Sequence, residues 1–189
     1  MSLINTSEYR GEIFEIKEKI LIHACCAVCF ENFYDFFEKS IDNTVFWFNP
    51  NVQGVKEYRK RKEALKRLVN KKKIKYIENN NYDLKKFMSK IECSDNGRCF
   101  ECYKWRLEET AKVAKENGFT SFTTTLLCSP MQKHEIILKL GEKIAADYGL
   151  KFFYFDLRDC YDSKILRKTG LYTQNYCGCI FSEEERYLG

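Results

Sequence analysis

At 189 residues, with 44% hydrophobic and 15% aromatic content, the chain is long and apolar enough to bury its own core, and it is neither disordered nor fibrous. Net charge is a modest +5, yet eleven basic residues fall between Lys56 and Lys75 against only Glu57 and Glu63. No run approaches a membrane span, and Glu8, Arg10, Glu12, Glu15 and Lys17 exclude the apolar core of a signal peptide, so a single cytoplasmic domain over residues 1–189 is expected.

In chain order, a short helix is expected over residues 1–19, followed by the compact apolar strand Ile20–Ala24. Glu31–Ser40 reads as a helix with Phe33, Phe36 and Phe37 on one face. Thr44–Phe48 is a second strand, stopped by Asn49-Pro50-Asn51. The basic segment predicts a helix from about Lys56 to Lys72 with Leu65, Leu68 and Val69 inward, and Ile74–Ile77 is a third strand. Helices follow over Asp83–Ile91 and Cys102–Asn117, the latter closed by Gly118. Phe119–Leu127 is the next strand, Lys133–Tyr148 a helix ended by Gly149, and Lys151–Phe155 the last strand. The alternation predicts an α/β fold, a parallel sheet of about five strands with helices on both faces, with a cysteine-bearing segment over residues 156–189. Such sheets bind ligands beyond the carboxyl ends of their strands, where the first cysteines, Asn49-Pro50-Asn51, Ser129-Pro130 and Asp156–Asp159 all fall.

Seven of the ten cysteines form three clusters: His23-Ala24-Cys25-Cys26-Ala27-Val28-Cys29, Cys99-Phe100-Glu101-Cys102, and Cys177-Gly178-Cys179. In a reducing compartment such clusters bind metal or do redox work. Seven thiolates exceed the four of one tetrahedral ion or one cubane cluster, so the pattern points to an iron–sulfur centre with thiols left for a neighbouring metal or for redox work. Consecutive side chains diverge, so Cys25 and Cys26 are expected to feed two metals or two corners of a cluster. Gly178 is expected to let the backbone turn closely around an ion. A structural zinc with spare thiols, and a dithiol relay on Cys99 and Cys102, remain alternatives. Cys93, Cys128 and Cys160 read as incidental core thiols.

Thr124, Thr125, Ser129, Gln132 and His134 end a strand and open a helix, and with Asn49 and Asn51 they are the candidate substrate contacts. His23 is a candidate proton donor, and Asp156 and Arg158 are candidates to supply protons or to anchor hydroxyls. Lys56, Arg59, Lys60, Arg61 and Arg67 are the candidate polyanion contacts.

With these residues in view the chain resembles the QueH family of epoxyqueuosine reductases. The resemblance runs from about Ile20 to Ser182 and rests on the His-x-Cys-Cys-x-x-Cys opening, Asn49-Pro50-Asn51, Glu57-Tyr58 with Arg61, Cys99-x-x-Cys102-Tyr103 with Arg106-Leu107, Thr124–Leu127, Ser129-Pro130-x-Gln132-x-His134-Glu135 and Tyr176–Cys179. Val28 departs from the proline usual there, which changes loop stiffness and not ligand count. The resemblance implies membership of the adenine-nucleotide alpha-hydrolase-like superfamily, with cysteines standing where relatives carry a glycine/serine-rich pyrophosphate loop. It further implies cobalamin-independent reduction of epoxyqueuosine to queuosine at the wobble position of tRNA. Also implied are a [4Fe–4S] cluster, an adjacent mononuclear iron, and an electron donor of reductase or ferredoxin type. An anticodon-loop base can be splayed into a pocket without melting a helix, and the basic helix would then hold stem phosphates. A zinc-stabilised tRNA-binding module and an ATP-dependent tRNA-thiolating enzyme are the competing classes.

Overall fold

The computed structural model describes residues 19–37, 42–80, 82–92, 95–158 and 170–189. The expected N-terminal helix, Cys93, Asp159 and Cys160 lie outside them, and Lys19 already belongs to the first strand.

The elements are β1 (Lys19–His23), α1 (Ala27–Phe37), β2 (Asp42–Trp47), α2 (Val55–Lys72), β3 (Lys75–Glu78), α3 (Leu84–Glu92), α4 (Arg98–Glu116), β4 (Ser121–Thr124), a 3₁₀ turn (Thr125–Cys128), α5 (His134–Tyr148), β5 (Lys151–Phe152) and α6 (Ile180–Tyr187). The five strands pair in parallel in the order β3-β2-β1-β4-β5. From β1 the chain steps outward to β3, then returns to the other side of β1 for β4 and β5. The reversal between β1 and β4 opens a crevice at their carboxyl ends.

β1 is buried on both faces, which its nearly unbroken apolar sequence anticipates: Ile20, Leu21 and Ile22 are fully buried. Ile20, Ile22, Val45 and Trp47 pack with Phe30, Phe33, Leu65 and Val69 of α1 and α2. Leu21, Phe46 and Phe122 pack on the opposite face with Leu107, Ala111, Ile137 and Ile144 of α4 and α5. Two cores therefore clamp one sheet. α5 lies so close to β5 that a Cβ on Gly141 would enter the Phe152 ring.

Several boundaries differ from the sequence expectation. The fourth strand stops at Thr124 because the Thr124 side chain accepts from Leu126 N–H at 3.2 Å, turning Thr125–Cys128 into a 3₁₀ helix. α4 begins at Arg98, so Cys99 belongs to its first turn along with Cys102. α1 begins at Ala27, and β5 is only two residues long. The helix α6 was not anticipated. Among the described residues, no helix is long and apolar enough to cross a membrane.

Candidate metal centre

The first cysteine cluster stands at the switch point. His23 ends β1 in register with Thr124 of β4. Its Nδ1 lies 2.8 Å from Thr124 Oγ1 and its Nε2 3.0 Å from Phe48 O. The carbonyl requires an Nε2–H donor, so Nδ1 accepts from the threonine hydroxyl. Past Ala24 the chain leaves the sheet and α1 begins, placing Cys25 and Cys26 just before the helix and Cys29 in its first turn.

The three sulfurs lie within 4.8 Å of one another. Cys25 and Cys26 Sγ are 3.9 Å apart, so the adjacent side chains converge instead of diverging as expected. The turn into α1 causes this, and Cys29 N–H donates to Cys26 Sγ at 3.4 Å. Thr125, the first residue of the 3₁₀ turn after β4, braces the group. Its Oγ1 accepts from Cys25 N–H at 3.0 Å and donates to Cys25 Sγ at 3.3 Å.

Hydrogen bonds from Cys26 and Cys29 hold the Cys25 thiol well below its ordinary range, against the opposing effect of burial. The reciprocal bond to Cys25 pushes Cys26 up to about 12 and Cys29 well above its usual value. Three sulfurs this close repel one another when ionised, so holding all three as thiolates calls for a cation. Three clustered soft donors fit a thiophilic metal or an iron–sulfur cluster.

The second cluster lies on the first turn of α4, entered through Gly97 at φ 86°. Burial raises the Cys102 thiol to about 11, while Arg106 opposes the rise through its charge and a hydrogen bond. Tyr103, between this cluster and the Ser129–Lys133 loop, donates to Gln132 Oε1 at 2.9 Å and accepts from Lys133 N–H at 3.3 Å.

The third cluster is tied to the loop after β2 and to α2. Asn51 Nδ2 and Arg61 Nη1 donate to the Cys177 carbonyl at 3.1 and 2.9 Å. Gln53 N–H donates to the Gly178 carbonyl at 2.8 Å. Arg61 is anchored in turn by Glu57 Oε1 at 2.6 Å, and Glu57 also accepts from the Tyr172 hydroxyl. Gly178 has φ +103°, and a Cβ there would stand 2.7 Å from Arg61 Nη1 and 2.9 Å from Val52 Cγ2. The close approach expected of this glycine is therefore to Arg61 and Val52 of its own protein. Hydrogen bonds from Cys179 and then Ser182, outweighing burial between them, lower the Cys177 thiol to about 6, while Cys179 is raised.

Several expected ligand-facing residues turn inward. Arg61 is 3% exposed, so it does not belong to a phosphate-binding surface. Asn49 is buried and bridges, donating to the Ala24 carbonyl at 2.9 Å and accepting from Arg106 Nη2 at 2.7 Å. Asn51 is buried and donates its Nδ2 to the Cys177 carbonyl, and Thr124 is spent on His23 and the 3₁₀ turn. Burial, with Arg106 nearby, lowers His23 to about 3, which leaves a neutral ring with both nitrogens engaged and not a proton donor. By contrast, Ser129, Gln132 and Arg158 reach solvent at the rim, with Asp156 partly exposed. His134 binds the Ser129 carbonyl and the Tyr154 hydroxyl, each at 3.2 Å, and stands 3.9 Å from Asp156, which pairs with Arg158.

Arg106 is the buried residue beside the cysteines that reading from the residues alone missed. It is 2% exposed, and its charge acts on Cys25, Cys102 and Cys177, one thiol from each cluster. Its position four residues after Cys102 and seven after Cys99, on the inward face with Leu107 and Ala111, was the available signal. Among the described residues, only Cys25, Cys26 and Cys29 form a group of three or more metal-capable side chains within 4.8 Å; Cys99, Cys102, Cys177 and Cys179 stand outside it.

On α2, Lys56, Arg59, Lys60 and Arg67 are exposed and share one face by helical spacing. Lys60 Nζ lies 5.5 Å from the centre of the Tyr172 ring, which sets this face beside the third cysteine segment. Lys62 and Lys66 pair with Glu78, and Lys72 with Glu31.

A doubly wound parallel sheet with thiols at its switch point and a basic helix alongside defines a Rossmann-like, thiol-lined α/β protein. The family model described as epoxyqueuosine reductase QueH matches residues 20–185, and the chain belongs to that family. It is 35% identical over 172 residues to an epoxyqueuosine reductase QueH of Dehalococcoides mccartyi, covering 89% of this chain and 94% of that protein. It is likewise 35% identical over 178 residues to one of Thermotoga maritima, covering 88% and 91%.

Proposed function

We propose that this chain, an oxidoreductase like its named relatives, reduces epoxyqueuosine to queuosine in tRNA, with the reaction centred on the cysteine site at the switch between β1 and β4. The observation that carries this reading is the convergence of the Cys25, Cys26 and Cys29 sulfurs within 4.8 Å, in the crevice where such sheets bind ligands. Those residues would hold a [4Fe–4S] cluster. Cys99, Cys102, Cys177 and Cys179 would supply its remaining ligation and that of an adjacent iron. Together the two metal groups would supply single electrons, delivered by a reductase or ferredoxin-like donor, and a Lewis acid for the epoxide oxygen.

The chain's own residues do the rest. Loss of the epoxide oxygen as water consumes two electrons and two protons, so the site must admit protons while excluding bulk water. Ser129, Gln132 and the Asp156–Arg158 pair line the rim beyond β4 and β5 and would hold the polar groups of the modified base, with the buried His134 supporting the Ser129 carbonyl from beneath. Thr125 holds Cys25 from the β4 side. The exposed face of α2 meets tRNA phosphates, and an unpaired wobble base can reach the crevice without melting a helix.

The deciding experiment is iron and sulfide analysis with anaerobic turnover of epoxyqueuosine-tRNA by the wild-type chain and by separate C25S, C26S and C29S variants. Queuosine formation by an iron- and sulfide-containing protein, lost in each variant, is expected. A colourless zinc protein that binds tRNA without turnover would overturn the reading.

A further inference from the structure

Arg106 leaves α4 on the same face as Cys99 and Cys102 and is buried at 2% exposure. Burying a guanidinium costs several kcal/mol unless something compensates it. Among the described residues no carboxylate pairs with it. Its compensation is a hydrogen bond of 2.7 Å from Nη2 to Asn49 Oδ1, with a hydrogen bond to the Cys102 thiol and the proximity of the other thiols. Nε is buried and has no hydrogen-bond partner. Asn49 passes the connection on to the Ala24 carbonyl at 2.9 Å. A continuous chain of hydrogen bonds thus joins α4 to the residue just before Cys25.

We propose that Arg106 is a positioning residue for the metal centre: the countercharge of the thiolate set, with Nε–H held for a sulfur acceptor and Nη2 fixing the first cysteine segment against the second through Asn49. The inference rests on the functional reading above and goes beyond it by giving a role to a residue that would not itself bind metal. A fixed positive charge beside a cluster stabilises the reduced, more negative state, so removing it lowers the reduction potential. A purely structural arginine would influence folding and leave the potential of any assembled cluster unchanged.

The test compares wild type, R106K and R106Q, each purified and reconstituted without oxygen, by iron and sulfide content, midpoint potential and far-UV circular dichroism. R106Q is expected to shift the oxidised-to-reduced ratio about tenfold toward oxidised, about 59 mV for one electron. R106K, which keeps the charge, should stay near wild type. If R106Q does not assemble a cluster, R106K decides: wild-type iron and sulfide there supports the role, and equal failure of both variants assigns Arg106 to packing and overturns it. An R106Q cluster with the wild-type potential, or equal shifts in both variants, overturns it as well. A wild-type protein holding no iron and sulfide would overturn the underlying functional reading, whereas a wild-type cluster insensitive to Arg106 overturns this proposal alone.

Discussion

The Arg61 guanidinium donates to the carbonyl of Cys177 at 2.9 Å, joining the middle of α2 to a cysteine 116 residues further along the chain. Glu57 holds the same guanidinium from one turn earlier, at 2.6 Å. The third cysteine cluster is thus mounted on an ion pair whose arginine is buried and whose glutamate is partly exposed, and the helix that carries the exposed basic face also carries this mount.

Replacing Arg61 by alanine leaves Glu57 without its cationic partner and frees the segment that follows residue 170. The expected cost is about 3 kcal/mol, at the lower end for removing one member of a buried pair. Urea denaturation measures the cost, and limited proteolysis should show new cleavage near Cys177. Wild-type resistance to protease would refute the mount.

Gly178→Ala tests the same attachment from the other side. A Cβ at φ +103° and 2.7 Å from Arg61 Nη1 must displace the segment. A loss of about 1–3 kcal/mol of local stability is expected. The β1–β4 core should melt as in wild type while iron bound through Cys177 and Cys179 falls. Unchanged iron content would count against those two residues as ligands.

Thr125→Val keeps the shape of the side chain and removes the hydroxyl that braces Cys25. Metal affinity is expected to fall about 10–100-fold, as for other groups that orient a ligand. Competition with a chelator provides the measurement, and affinity equal to wild type would show that the hydroxyl is dispensable.

Binding to tRNA should depend on Lys56, Arg59, Lys60 and Arg67. Alanine at all four lowers affinity and flattens the dependence of log K on log salt, by about 0.7–0.9 for each phosphate no longer neutralised. Lys62 and Lys66, already paired with Glu78, should matter less. Equal effects from the two sets would argue against a face-specific interaction.

Burial lowers both histidines in the folded chain. The unfolded chain therefore binds protons near pH 6.5 that the folded chain refuses, so stability is greatest above that pH and falls on acidification below it. Each histidine contributes a slope of up to about 1.4 kcal/mol per pH unit. Urea midpoints of the metal-free chain between pH 6.5 and pH 5 should show this loss, and His134→Gln should reduce it. A midpoint independent of pH would contradict the burial of both rings.

The parallel sheet and the position of the first cysteines at its strand ends were legible because they follow from local pattern. Apolar runs such as Ile20–Ile22 need burial on both faces, and glycines at 118 and 149 close helices through a backbone conformation other residues resist. The clustering of the cysteines was legible too, since thiols two or three residues apart are chemistry written in sequence. Side-chain direction was not, because it depends on contacts made far along the chain. Arg61 sits in a basic run and looks like its exposed neighbours until Cys177 arrives, and Asn49 and Asn51 look like substrate contacts until the Ala24 and Cys177 carbonyls claim them. By itself the sequence determined the α/β class, the strand ends at which the first cysteines fall and the clustering of thiols along the chain. Only the tertiary structure decided which polar groups face that edge and which are spent holding it together, because each buried donor must find its acceptor among backbone groups that only the packed sheet and helices bring within reach.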